Sequence, residues 1–181
     1  MDTLPFYIAL FVHIVSLIVA FGSVLVTDFF GLLWLIKYKN ITLRSVMSIG
    51  DVTQKLIWLG YFGMIVSGST LIYIKGFIDH LTQIKIFFVL LVGINGIYLH
   101  YIKEACKKVS GESISQRLKF HIGFSSFISQ LGWWGALTIG FLHRHWRHNI
   151  PWPDAPVFWV IGTVVLLIVI GSIGLNLTKR T

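Results

Sequence analysis

Three histidines and two arginines fall within six residues of one another: His143, Arg144, His145, Arg147 and His148, inside FLHRHWRHNIPWPDAP (141–156). Residues of these types bind metals, carry protons or grip anions. A zinc enzyme needs a fixed ligand geometry with one open position. The spacing His143-x-His145-x-x-His148 is not the i, i+4 pair of an HExxH helix, and Asp154 is the only carboxylate nearby. Membrane iron hydroxylases use several separated histidine boxes, whereas this chain has one. On a continuing helix His145 and His148 share a face that His143 does not, so the three do not make one metal site. Arg144 and Arg147, three residues apart, suit a carboxylate, a phosphate or a haem propionate. The competing reading is an interfacial belt, with Trp146, Trp152 and the arginines at the headgroup boundary and Pro151, Pro153 and Pro156 turning the chain.

The remaining chemistry-bearing groups are scattered through apolar sequence. His13 and Asp28 interrupt the first hydrophobic run, and Lys85, His100 and His121 stand at the edges of later ones. An ionisable group inside a bilayer is costly and usually functional. His13 falls roughly 12 Å inside the start of its run, and Asp28 roughly 13 Å before Lys37, at about 1.5 Å per residue. A neutral His13 hydrogen-bonded to a neighbouring helix competes with a ligand role. Asp28 is compatible with a protonated, salt-bridged or proton-relaying carboxyl. His100 and His121 also suit an interface beside lipid headgroups.

What positions these groups is a set of membrane spans. Of 181 residues, 55% are hydrophobic and only 12% charged, with a mean hydropathy of +0.79. A crossing needs about 20 apolar residues. Five runs qualify, at about 5–36, 56–74, 84–102, 120–142 and 157–177. The expected fold is all-α: an integral membrane bundle of five transmembrane helices forming a single domain. The first run is long enough to tilt or project, and Met1–Pro5 lacks the positive region of a cleavable signal. Segments 37–55, 103–119 and 178–181 hold eleven of the fifteen Lys and Arg residues. With five crossings all three lie on one side, which the positive-inside rule makes cytoplasmic. The expected topology is therefore N-out, C-in, and the histidine-rich stretch belongs to the outer face. The net charge of +8 is explained by this asymmetry, so nucleic acid is not an expected partner. A single cysteine, Cys106, excludes an internal disulfide and a CxxC pair.

Small residues at helical spacing mark the faces on which membrane helices pack. The fourth run places His121, Ser125, Ser129, Gly132, Ala136, Gly140 and His143 on one such face, and the first places His13, Ser16, Ala20, Ser23 and Thr27 on another. Close packing alone explains most of these residues. Histidines on the same faces nevertheless point into the bundle, where imidazoles commonly serve as axial haem ligands. The candidate ligands are His13, His100, His121 and His143. Trp133 and Trp134 are candidate pocket walls, Lys85, Arg144 and Arg147 candidate propionate partners, and Lys85 and Asp28 candidate catalytic groups. One or two b-type haems would fit this distribution.

Two stretches, YIALFVHIVSLIVAFGS (7–23) and QIKIFFVLLVGINGIYLH (83–100), resemble the HemJ and CopD-like group of small haem-associated membrane proteins. That resemblance implies a haem-binding role for His13 and a role in activity for Lys85. The chain departs from the HemJ pattern in having TDFFGLLWLIKYK (27–39) after the first histidine stretch, Asn95 and Gly96 where a third-helix histidine stands, and a fifth span.

The leading expectation is a haem b membrane protein that transfers electrons across the bilayer or oxidises a small lipophilic substrate, quinol-like or a porphyrinogen. Its enzymatic form would be a haem-dependent membrane oxidoreductase. Two alternatives come from other classes: a proton or metal-ion transporter using Asp28 and the histidines, and a non-catalytic subunit that docks a partner. The expected surroundings are a bacterial inner (plasma) membrane, its lipid, a quinone or other lipophilic redox partner, and perhaps further copies of the chain in a homo-oligomer.

Overall fold

A computed structural model of the protein describes residues 3–38, 41–107, 115–145 and 156–177. These form five α-helices: α1 (Leu4–Leu35), α2 (Leu43–Lys75), α3 (His80–Lys107), α4 (Gln116–His145) and α5 (Pro156–Leu177). No strand occurs among the described residues. Four helices, α1, α2, α3 and α5, are long and apolar enough to cross a membrane. The small and polar residues of α4, among them Ser125, Ser126, Ser129 and Gln130, leave it short of that apolarity.

Local signals set the helix ends. Pro5 opens α1, where its missing N–H costs nothing. The end of α1 is a Schellman turn: Tyr38 N–H reaches the Leu33 carbonyl at 2.9 Å and Lys37 N–H reaches that of Trp34 at 3.0 Å. Lys37 takes the left-handed position, with φ 54°. Thr42 caps α2, its hydroxyl oxygen accepting from Ser45 N–H at 3.2 Å. Gly76, at φ 78°, ends that helix with the freedom only glycine has there. Asp79 caps α3 by accepting from Thr82 N–H at 2.9 Å and from the Thr82 hydroxyl at 2.5 Å.

Helix α2 begins well before the apolar run at 56–74. Hydropathy marks only the lipid-facing part of a helix, and the Thr42 cap starts the helix in the more polar segment containing Arg44, Asp51 and Lys55. At about 1.5 Å per residue, α1 and α2 are each close to 50 Å long, against a hydrocarbon core of about 30 Å.

The chain divides into two compact units, Met1–Phe77 and Ile78–Thr181. In the first, α1 and α2 run antiparallel in constant register: 13 meets 67, 16 meets 63, 20 meets 60 and 27 meets 53. Backbones approach closely because Gly60 and Gly63 face Ser16 and Ala20. A Cβ on Gly60 would lie 2.5 Å from the Ser16 carbonyl oxygen and 2.8 Å from the Ala20 nitrogen. In the second unit, α3 and α4 are antiparallel, and α5 packs on both. Its apolar core comprises Leu81, Ile84, Phe88, Ile139 and Val164. Phe88 and Val92 press against Gly135 and Gly132, and the Phe124 ring against Gly171.

The distribution of residue types reverses that of a water-soluble protein. Ser23, Ser67, Asn95, Ser125 and Ser129 are buried, while Leu59, Phe62, Phe158 and Trp159 are exposed. Lipid-facing helices show this arrangement, since close packing of small residues holds them together.

Candidate functional site

Of the sequence-predicted ligands, His13 has the most defined surroundings. It projects from α1, half-buried, and its Nδ1 lies 3.0 Å from the Ser67 hydroxyl of α2. Ser67 is buried, and its hydroxyl donates to the Gly63 carbonyl at 2.6 Å, with a longer branch of 3.3 Å to that of Met64. The edge of the imidazole lies over Gly68, where a Cβ would come within 3.4 Å of His13 Cε1. Ser67 and Gly68 therefore receive the ring together, one with a hydroxyl and one with bare backbone. Farther along the same seam, the Thr27 hydroxyl donates to that of Thr53 at 2.7 Å, and Thr53 donates to the Ile49 carbonyl at 3.0 Å. Asp28, next in α1, is half-buried.

The second unit holds the other candidates. His121 Nδ1 lies 2.6 Å from the Tyr98 hydroxyl. His100 follows Tyr98 by two residues, about 200° around the helix axis, and its ring stands edge-on to Tyr101. Lys85 is half-buried against Gly140 of α4, with Nζ 3.5 Å from where a Cβ would stand. Trp133 is only 2% exposed, inside the unit, whereas Trp134 is 51% exposed and donates from Nε1 to Gln130 at 3.0 Å. The adjacent tryptophans thus occupy different environments, as a turn of about 100° per residue requires. His143 and Arg144 belong to the last turn of α4, but their side chains, like all of Arg147, lie outside the described residues.

Deeper in this unit Asn95 and Ser125 form a buried pair. Asn95 Nδ2 donates to the Ser125 carbonyl at 2.9 Å, and the Ser125 hydroxyl donates to Asn95 Oδ1 at 2.7 Å. Every donor and acceptor engaged here is protein, so the pair acts as a helix-to-helix clasp.

Among the described residues no three His, Cys, Asp or Glu side chains gather as a metal-binding group. Haem iron takes its protein ligands one or two at a time, so single anchored imidazoles are the relevant donors. Ser67, Gly68 and Tyr98 were not singled out as partners of the histidines by sequence. Ser67 carried a weak signal, as part of the small-residue face with Gly60 and Gly63. Tyr98 carried none.

No protein-family model, curated protein or solved structure matches the chain.

Proposed function

We propose that the protein is an integral membrane protein of five crossings, N-terminus outside and C-terminus in the cytoplasm, that binds haem b through His13. In this reading it works in a bacterial inner membrane, passing electrons across the bilayer or oxidising a small lipophilic substrate such as a quinol. The observation that carries the reading is the hydrogen bond between His13 Nδ1 and the buried Ser67 hydroxyl. A ligating imidazole typically has its second nitrogen held in this way, which fixes ring orientation. The outward apolar faces and the four strongly apolar helices support the membrane setting.

The fit of a haem can be judged against the seam. Between α1 and α2 the contacts of Gly60 and Gly63 with Ser16 and Ala20 leave no room for a macrocycle. The group would be held on the side of His13 turned away from Ser67. When bound, haem supplies one-electron chemistry. The chain's own contributions are an oriented ligand at His13, restraint at Ser67 and Gly68, and exclusion of water by apolar side chains. His100 and His121 would serve a second haem, and Lys85 and Asp28 remain the ionisable groups available for proton handling.

Absorption spectra of the purified protein, oxidised and reduced, with pyridine haemochrome quantification, test the reading. A Soret band lost in His13→Ala supports it. No Soret band after expression with ample haem supply overturns it.

A further inference from the structure

The hydrogen-bond geometry around Ser67 determines which nitrogen of His13 carries the proton. A serine hydroxyl has one hydrogen to give and two lone pairs to receive with. The Ser67 oxygen stands 2.6 Å from the Gly63 carbonyl oxygen. That separation is a hydrogen-bond length for O–H···O, and without a proton between them two oxygens so close would repel. The Ser67 hydrogen is therefore committed to its own helix, the i−4 back-bond open to serine. What Ser67 offers His13 at 3.0 Å is a lone pair, and only an Nδ1–H can use it.

A charged imidazolium is costly in hydrocarbon, so the resting ring is neutral, with its one proton on Nδ1. The lone pair is then on Nε2, across Cε1 from Nδ1. Gly68 backs the ring at that same Cε1 edge. A side chain longer than a methyl at this position would compete with the imidazole for its place.

We infer that Ser67 and Gly68 form a cradle that holds His13 as the Nδ1–H tautomer and presents Nε2 as the nitrogen that ligates the iron of a haem. Ser67 is thus a positioning residue. The choice of iron porphyrin as ligand rests on the proposed function above, whereas the tautomer follows from the hydrogen bonds alone. Loss of a hydrogen-bond partner behind a ligating imidazole typically weakens metal binding by about 10–100-fold. That is the effect expected of Ser67→Ala.

Two measurements on the full chain in lipid bilayers separate these parts. The first is nitrogen NMR of histidine-labelled protein before haem is added, with the His13 signal assigned by its absence in His13→Gln. Wild type is expected to show a protonated Nδ1 and an unprotonated Nε2. Ser67→Ala is expected to mix the tautomers, and Ser67→Thr, which keeps a hydroxyl, to preserve the wild-type state. A protonated Nε2 in wild type, or an unchanged tautomer in Ser67→Ala, overturns the cradle. The second is haemin titration, in which Ser67→Ala should bind about 10–100-fold more weakly than wild type and His13→Ala should lose the site. An Nδ1–H tautomer with no haemin binding by wild type supports the cradle and overturns the haem assignment. Equal affinity in wild type and Ser67→Ala overturns the positioning role.

Discussion

Asn95 and Ser125 exchange two hydrogen bonds across α3 and α4, amide to carbonyl and hydroxyl to amide oxygen, at 2.9 and 2.7 Å. The serine is fully buried and the asparagine nearly so. Each residue is both donor and acceptor to the other, so either truncation strands a polar group in an apolar interior. The same pairing also fixes how far α4 slides along α3, and with it the meeting of Tyr98 with His121 on one side and of Lys85 with Gly140 on the other.

Asn95→Ala and Ser125→Ala should therefore each destabilise the second unit, and the double variant should cost less than the two singles combined. Hydrogen bonds between membrane helices average about 0.6 kcal/mol and reach about 1.7 kcal/mol, and a fully reciprocal pair belongs in the upper part of that range. Unfolding of the four proteins in mixed micelles, analysed as a double-mutant cycle, measures the coupling. Strict additivity would show that the clasp contributes nothing as a pair.

Two glycines of the first unit should respond oppositely to the same change. At Gly60 a new methyl meets backbone, the Ser16 carbonyl at 2.5 Å and the Ala20 nitrogen at 2.8 Å. The helices must separate, and Gly60→Ala should cost about 1–3 kcal/mol, as overpacking does. At Gly22 no atom lies within 4 Å of the added methyl. Gly22→Ala should be neutral or stabilising by up to about 1 kcal/mol, the helix-propensity difference. Thermal stability of the two variants in one detergent makes the comparison.

Lys37 occupies the left-handed position of the Schellman turn that glycine normally fills. A residue with a Cβ is strained there by about 1–2 kcal/mol. Part of that relief is offset by the extra freedom glycine has in the unfolded chain. Lys37→Gly should raise stability by about 0.5–1 kcal/mol on the left-handed penalty less that offset, visible as a higher melting temperature. No change or a decrease would mean that this turn does not hold α1 closed.

These contrasts show what the sequence could and could not disclose. The helical class was legible from hydropathy, and α1 lies within a residue of the run at 5–36 because apolar content and helix coincide there. They do not coincide in α2, whose first turns carry Arg44, Asp51 and Lys55 on a helix begun by Thr42. The small-residue face of α4 was legible as a contact face, and Ser125, Ser129 and Gly132 are indeed buried. The partner of each histidine was not legible. Whether His13 meets Ser67 depends on the register between two helices 54 residues apart in the chain, and one turn of slippage would bring Gly63 or Leu71 to the same place.

The proposed topology gives the last expected outcome. Thr3 and Tyr38, at opposite ends of α1, are exposed, and Cys106 is only 4% exposed, so Cys106→Ser gives a quiet background for single-cysteine labelling. With a membrane-impermeant maleimide on intact cells, Thr3→Cys should react, and Tyr38→Cys should react only after permeabilisation. The decisive position is the C-terminus, because α4 is the helix least suited by composition to lipid. If α4 crosses, the number of spans is odd and Thr181→Cys is protected together with Tyr38→Cys, keeping Lys179 and Arg180 on the side that holds the other basic segments. If α4 does not cross, Thr181→Cys reacts in intact cells, the tail charges oppose the positive-inside rule, and the five-crossing arrangement is overturned. Protection in intact cells is the outcome that the eleven clustered lysines and arginines favour.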